Sequence, residues 1–352
     1  MSRTLLPCPR PQWQSGHSCW IPLLAIVLVL SPLLFTSSAC VSRPDRPFAY
    51  PSAAVPKPYV NASAPALDAA DLWSPFGTPR RAWSLREHSS EWAHLNRAAL
   101  NVQSASAMIV DERGNVLYAK NPRVVRPIAS VTKLMTAMVV LDTGISLETP
   151  IRITADDLDR LKNSRSRLRI NDTVLTRREM IMAALISSDN RAAHALGRTT
   201  FRGGTVEFVQ AMNRKARALG MVNTQFVDAS GLDPRNRSTA EDLVKLVRAA
   251  ANYPLIREAT SRAEMILHPF GDGTALQYRN TNPLVRSPEW RVEVSKTGFL
   301  NEAGRCLVMQ ARIADRRFYM VFLGGSGHLT PMGDSNRVRE WILASNRLTA
   351  AR

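Results

Sequence analysis

Leu134 to Leu141 reads Leu-Met-Thr-Ala-Met-Val-Val-Leu, apolar on almost every face of a helix. Such a helix is buried all round rather than laid on a surface, so the chain must fold other layers around it. Directly ahead stands Ser130-Val131-Thr132-Lys133. Ser130 then falls at the helix N-terminus, where backbone N–H groups and the dipole favour negative charge. Lys133 lies about one turn on, on the same face, within reach of the Ser130 hydroxyl. Burial disfavours the ammonium and lowers the Lys133 pKa. A neutral Lys133 can take the Ser130 proton, which activates a weak hydroxyl nucleophile without histidine.

A lone S-x-x-K is more often a helix N-cap followed by a surface lysine. Here Ser188-Asp189-Asn190 and Lys296-Thr297-Gly298 follow in order. Thr176-Arg177-Arg178-Glu179 has the pattern of a capping box and opens Met180 to Ile186, a second buried helix. Ser188 and Asn190 are thereby expected on a short interhelical turn facing a cleft. Arg291 to Ser295 alternates like a strand and delivers Lys296, a second cation expected to lower the Lys133 pKa further. Gly298 lets a substrate backbone pack against that strand. Each motif is weak alone; in this order and context the three carry serine acyl transfer.

The 352 residues suffice for one large domain or two small ones, and a 45% hydrophobic composition supports a sizeable core. Net charge is +17, with one local cluster at Arg160, Lys162, Arg165, Arg167 and Arg169. That cluster reads as a solvated strand or loop face. It lacks the interleaved aromatics and named motifs of a nucleic-acid binder, so no nucleic acid is expected. An anionic polymer or lipid headgroups suit the charge better. The six histidines are scattered, with no H-x-H or H-E-x-x-H spacing, and neither metal nor cofactor is expected. Cys306 lies in the strand-like run Cys306-Leu307-Val308-Met309 and reads as a small buried hydrophobe.

Arg3 and Arg10 precede an apolar run from Trp20 to Phe35, followed by Thr36-Ser37-Ser38-Ala39-Cys40. This is the order of a signal peptide, with cleavage expected after Ala39. The long basic region leaves an uncleaved membrane anchor as an alternative, and the Ala39-Cys40 junction leaves lipid attachment at Cys40 as another. Prolines at 44, 47, 51, 56, 58 and 65 mark a linker over 40–70. Residues 71–100 have poor periodicity, though Trp73, Phe76, Trp83 and Trp92 suggest packing onto the domain that follows.

The folded domain is expected over 101–346. Ser106 to Val110 and Val116 to Ala119 read as a hairpin, and helical stretches fill 130 to 250. One of them runs from Thr205 to Leu219 and stops at Gly220. Ser238-Thr239-Ala240-Glu241 reads as a second capping box, opening a helix that ends before Pro254. Strands return at 291–297, 305–313 and 318–324, and a last helix from Asp334 to Ala344 turns Val338, Trp341 and Ile342 inward. Strands at both ends with helices between predict an α+β fold with a mainly antiparallel sheet built from the two ends of the chain.

Over residues 100 to 345 the chain resembles the low-molecular-weight penicillin-binding proteins, the D-alanyl-D-alanine endopeptidase or carboxypeptidase family. Besides the three motifs, the likeness rests on Ser188 to Arg198, on Met212 to Met221, and on Lys296 to Cys306. It implies the serine β-lactamase/DD-peptidase fold, with an antiparallel sheet flanked by helices and an all-helical subdomain. It further implies Ser130 as the acylated nucleophile, Lys133 as its base and Ser188 as a proton relay. Asn190, Lys296, Thr297, Gly298 and Phe299 would bind substrate, with the N–H groups of Ser130 and Phe299 as the oxyanion hole. The implied partners are peptidoglycan stem peptides and β-lactam antibiotics. The residues after Gly298 suffice only to finish a sheet and a helix, which favours the compact endopeptidase branch over a carboxypeptidase. A class A β-lactamase would also need a glutamate to activate water, absent around 220–236, where only Asp228 or Asp233 could replace it. A penicillin-sensing module that acylates without hydrolysing is the non-enzymatic alternative.

Overall fold

The computed structural model describes residues 84–86 and 90–350. The expected leader at 1–39, the Cys40 junction, the linker at 40–70, and Trp73, Phe76 and Trp83 lie outside the described residues. Among the described residues no helix is long and apolar enough to cross a membrane.

Regular structure opens with the expected hairpin, β1 (Ser106–Asp111) and β2 (Val116–Lys120). Its turn is set by the buried Asp111 carboxylate, which accepts from the backbone N–H of Arg113 and Asn115 at 2.9 and 2.8 Å. A helix-rich stretch follows: β3 (Arg126–Pro127), α1 (Thr132–Asp142), β4 (Pro150–Arg152), β5 (Val174–Thr176), α2 (Arg177–Ile186), α3 (Asn190–Thr200) and α4 (Gly204–Ala218). Then come β6 (Arg237–Ser238), α5 (Ala240–Ala250), α6 (Pro254–Ser261), β7 (Glu264–Leu267) and β8 (Leu276–Arg279). The chain closes with β9 (Arg291–Leu300), β10 (Gly304–Ile313), β11 (Arg316–Gly325) and α7 (Thr330–Ala350).

Five of these strands form one antiparallel sheet in the order β2-β1-β11-β10-β9. The predicted α+β class and the assembly of the sheet from both ends of the chain are therefore present. Its middle strands are covered on both faces, which is why they read as continuous apolar runs. Ala107, Ile109, Leu307, Met309, Phe318, Met320 and Phe322 point to one side, where Val338 and Ile342 of α7 meet Trp92 and Leu100. Met108, Val110, Val308, Val321 and Leu323 point to the other, into the core shared with α1 to α6. Cys306 lies buried on that second side with a free thiol.

Local chemistry explains the element boundaries. The Thr176 hydroxyl accepts from Glu179 N–H at 3.2 Å while the Glu179 carboxylate accepts from Thr176 N–H at 2.8 Å, closing the predicted box at α2. The second box is displaced by one residue. Thr239, not Ser238, caps α5, accepting from Asp242 N–H at 3.1 Å. Asp242 takes the inward place because its carboxylate accepts from Asn223 N–H and the Thr224 hydroxyl at 2.8 and 2.9 Å. Two further expectations change. Residues 158–172 are largely irregular rather than helical, and α7 is longer at both ends than 334–344, with Trp341 only half-buried. Trp92, from the segment of poor periodicity, is 2% exposed. It donates to Asp111 at 2.8 Å beneath the Arg316 guanidinium.

Candidate active site

The three motifs meet where the helical layer abuts β9. Ser130 sits in a 3₁₀ turn, Ala129–Val131, that runs straight into α1. Ala129 has φ 48°, a left-handed backbone that a non-glycine residue adopts only when its surroundings enforce it. Gly231 supplies that constraint: a Cβ there would lie 2.0 Å from the Ala129 carbonyl oxygen. Ser188 also has positive φ, 63°, on the turn between α2 and α3. Asp189 caps α3, accepting from Ala192 N–H at 3.0 Å, which fixes the orientation of Asn190 as the first helical residue.

Lys133 is 1% exposed, and its Nζ lies 2.9 Å from Ser130 Oγ, 2.6 Å from Asn190 Oδ1 and 2.7 Å from the Ser230 carbonyl. The two carbonyl oxygens can only accept, so they consume two N–H groups. The third tetrahedral position faces the Ser130 hydroxyl, as an N–H if lysine is charged and as a lone pair if it is neutral. Burial lowers the Lys133 pKa to about 7, against the opposing pull of Asp228 and Asp189. The lone pair is therefore well populated near neutrality.

Lys296 is equally buried and donates to Ser188 Oγ and to the Thr297 carbonyl, both at 2.9 Å. Its pKa is held well below the lysine range by burial first and by Lys133 second. The expected repulsion between the lysines thus acts on Lys296, while the charges that act on Lys133 are two aspartates that raise it. Thr297 donates its hydroxyl hydrogen to Thr281 at 2.6 Å. A Cβ on Gly298 would lie 2.9 Å from the Ile128 carbonyl and 3.1 Å from Ser130 N, so β9 approaches the Ser130 turn as closely as backbone allows. Phe299 follows, 47% exposed, under the Arg305 guanidinium at 3.8 Å.

All eight predicted site residues are therefore brought together: Ser130, Lys133, Ser188, Asn190, Lys296, Thr297, Gly298 and Phe299. Sequence reasoning missed the Ser230 carbonyl, since a backbone acceptor leaves no residue signature. It also missed Ser164, whose hydroxyl accepts from Asn190 Nδ2 at 2.9 Å, and Thr281. Asp228 and Asp233, the two acids weighed as water activators, are engaged elsewhere. Asp228 accepts from Ser230, Gly231 and Asp233 N–H and from Asn236, holding the Ser230 loop in place, and Asp233 pairs with Arg235. Among the described residues no cluster of acids, histidines or cysteines could hold a metal ion.

Residues 93–327 match the D-alanyl-D-alanine carboxypeptidase family. A D-alanyl-D-alanine endopeptidase of Escherichia coli K12 is 44% identical over 244 residues, covering 68% of this chain and 77% of that protein. Another, from Pseudomonas aeruginosa, is 42% identical over 240 residues with the same coverage of each. The crystal structure of the Streptomyces K15 DD-transpeptidase superposes with a TM-score of 0.64 at 25% identity, covering 69% of this chain and 98% of that one.

Proposed function

Since the chain belongs to the D-alanyl-D-alanine carboxypeptidase family of serine peptidases, we propose that it is a D-alanyl-D-alanine endopeptidase that cuts peptidoglycan crosslinks through an acyl-enzyme on Ser130. The observation that carries this reading is the coordination of Lys133: two carbonyls hold its Nζ so that the remaining position faces Ser130 Oγ. Ser130 Oγ attacks the D-alanyl carbonyl as its proton passes to Lys133. The oxyanion would sit between the N–H groups of Ser130 and Phe299, and the close approach of β9 at Gly298 supports that placement. Loss of one such donor typically costs about 10²–10³ in rate. Ser188, bridged to Lys296, would pass a proton to the leaving amine, and water then releases the acyl group. Lys296 forms no ion pair among the described residues, so a carboxylate of the departing residue would bind beside it and Thr297, favouring the ammonium form that burial otherwise disfavours.

Two relatives above 40% identity, both named endopeptidases, favour crosslink cleavage over the carboxypeptidase reading; a Bacillus subtilis carboxypeptidase is 31% identical. β-Lactams would acylate Ser130 in the same way. The engagement of Asp228 and Asp233 in loop-building hydrogen bonds argues against fast turnover of that adduct, and so against a β-lactamase. A wall substrate requires export, which residues 1–39 would direct, with cleavage after Ala39 releasing a periplasmic enzyme whose catalytic domain spans 101–346. The test is to incubate crosslinked muropeptide dimers with the protein and with Ser130→Ala. Conversion to monomers by the first alone is expected. Release of terminal D-Ala from pentapeptide monomers with dimers left intact would make it a carboxypeptidase, and penicillin labelling with no product at all would make it a sensor.

A further inference from the structure

The irregular segment that carries the basic cluster is stitched to the S-D-N turn. The Asp159 carboxylate gathers the N–H groups of Leu161, Lys162 and Ser164 at 2.7–2.9 Å. Ser164 then accepts from the Asn190 amide at 2.9 Å, and Ser166 donates to Asp189 at 2.9 Å. Between those two serines stands Arg165, one residue, or ~3.8 Å of backbone, from each anchor. On the opposite side Lys162 pairs with Glu302, in the turn just after β9. The segment therefore forms a rim of the cleft rather than a remote solvated face.

Its five cations are not equivalent. Lys162 is taken by Glu302. Arg167 lies over the Tyr278 ring at 4.9 Å and bonds the Gln277 carbonyl. Arg169 lies over Phe270 at 4.1 Å and pairs with Asp172 and Asp272. Arg160 and Arg165 are exposed and form no ion pair among the described residues. Arg165 stands next to the S-D-N turn, and Arg160, at the start of the same anchored segment, opens onto a groove lined by His194 and Leu232; both guanidiniums suit one ligand chemistry, a planar carboxylate that each can grip with two parallel hydrogen bonds.

We propose that Arg160 and Arg165 form an anion subsite at the mouth of the cleft that recognises a free carboxylate on the peptidoglycan peptide outside the bond being cut. This inference rests on the endopeptidase reading for the identity of its ligand. It makes the enzyme selective for peptides whose carboxylates are free over the same peptides carrying amides. The amide keeps the shape and loses the charge, and guanidinium offers it no acceptor for its N–H groups.

The experiment separates binding from turnover. In a Ser130→Ala background the Kd of a crosslinked dimer is measured with the carboxylates outside the scissile bond free and amidated, the departing residue's own carboxylate being left free in both, with and without Arg160→Glu and Arg165→Glu, and again with the milder Arg160→Gln and Arg165→Gln. With both arginines present the free form is expected to bind about tenfold more tightly than the amidated one, and the preference to shrink as salt is raised. The double glutamate variant should lose that preference while binding the amidated dimer as before, and the glutamine pair should fall between. With Ser130 restored, the loss should appear in KM rather than kcat. Equal affinity for the two forms, or a preference that survives the double substitution, would overturn the subsite. A protein that binds the free dimer selectively yet does not cut it would keep the subsite and overturn the endopeptidase reading.

Discussion

At Lys133 a single side chain is buried and, in the proposed mechanism, also reactive, and one arrangement meets both demands. Its pKa of about 7 comes from burial, with Asp228 and Asp189 opposing. Below that value Nζ is protonated and cannot accept the Ser130 proton. The rate of Ser130 acylation by penicillin should therefore rise with pH through about 7 and level off above it, as stopped-flow measurement would show. Lys133→Ala should lower the rate by about 10²–10⁴. The same shift has a sign for stability. The unfolded lysine titrates at its ordinary 10.5, so between about 7 and 10.5 the unfolded chain binds more protons than the folded one. This group's contribution to stability consequently grows as pH rises across that window. The pairing of Ser130 with a buried Lys133 was legible in the sequence because Ser-x-x-Lys before an apolar run fixes both their spacing and their burial. The Ser230 carbonyl was not, because its position depends on how the Asp228 carboxylate folds a distant loop.

Among the elements, α2 and α5 show when a cap can be read from sequence. At α2 only Thr176 and Glu179 fit the pattern. At α5 both Ser238 with Glu241 and Thr239 with Asp242 fit it, and the choice falls to partners far along the chain, Asn223 and Thr224. Glu241 is left half-buried at the surface against Arg123. Substituting Glu241 by Ala should thus change stability by less than about 0.5 kcal/mol, whereas Asp242→Ala should cost about 1–2 kcal/mol, because it removes a buried carboxylate that accepts from the Asn223 N–H and the Thr224 hydroxyl. Urea denaturation of the two variants decides between the registers. The attachment of the irregular 158–172 segment to the S-D-N turn escaped detection for a related reason. Its order comes from Asp159, Ser164 and Ser166, which bond backbone or motif side chains and impose no periodicity.

Across the molecule, the sheet depends on both ends of the described chain. β1 pairs along its whole length with β11, and the Asp334 carboxylate at the start of α7 accepts from Gln103 N–H, Ser104 N–H and the Ser104 hydroxyl at 2.6–2.8 Å. Asp334 is fully buried. Asp334→Ala should therefore cost about 3 kcal/mol or more, by leaving three donors without an acceptor. Calorimetry should register a lowered Tm, while the folded fraction still acylates at the normal rate, since no motif residue touches Asp334. The pairing of first strand with last also sets a clock. Ser130, Lys133 and Ser188 all leave the ribosome before Lys296, and β1 must wait for β11, the final strand made, before the sheet beneath them can close. A chain cut short before Arg316 would therefore carry all three motifs and still lack the sheet on which the candidate site is assembled.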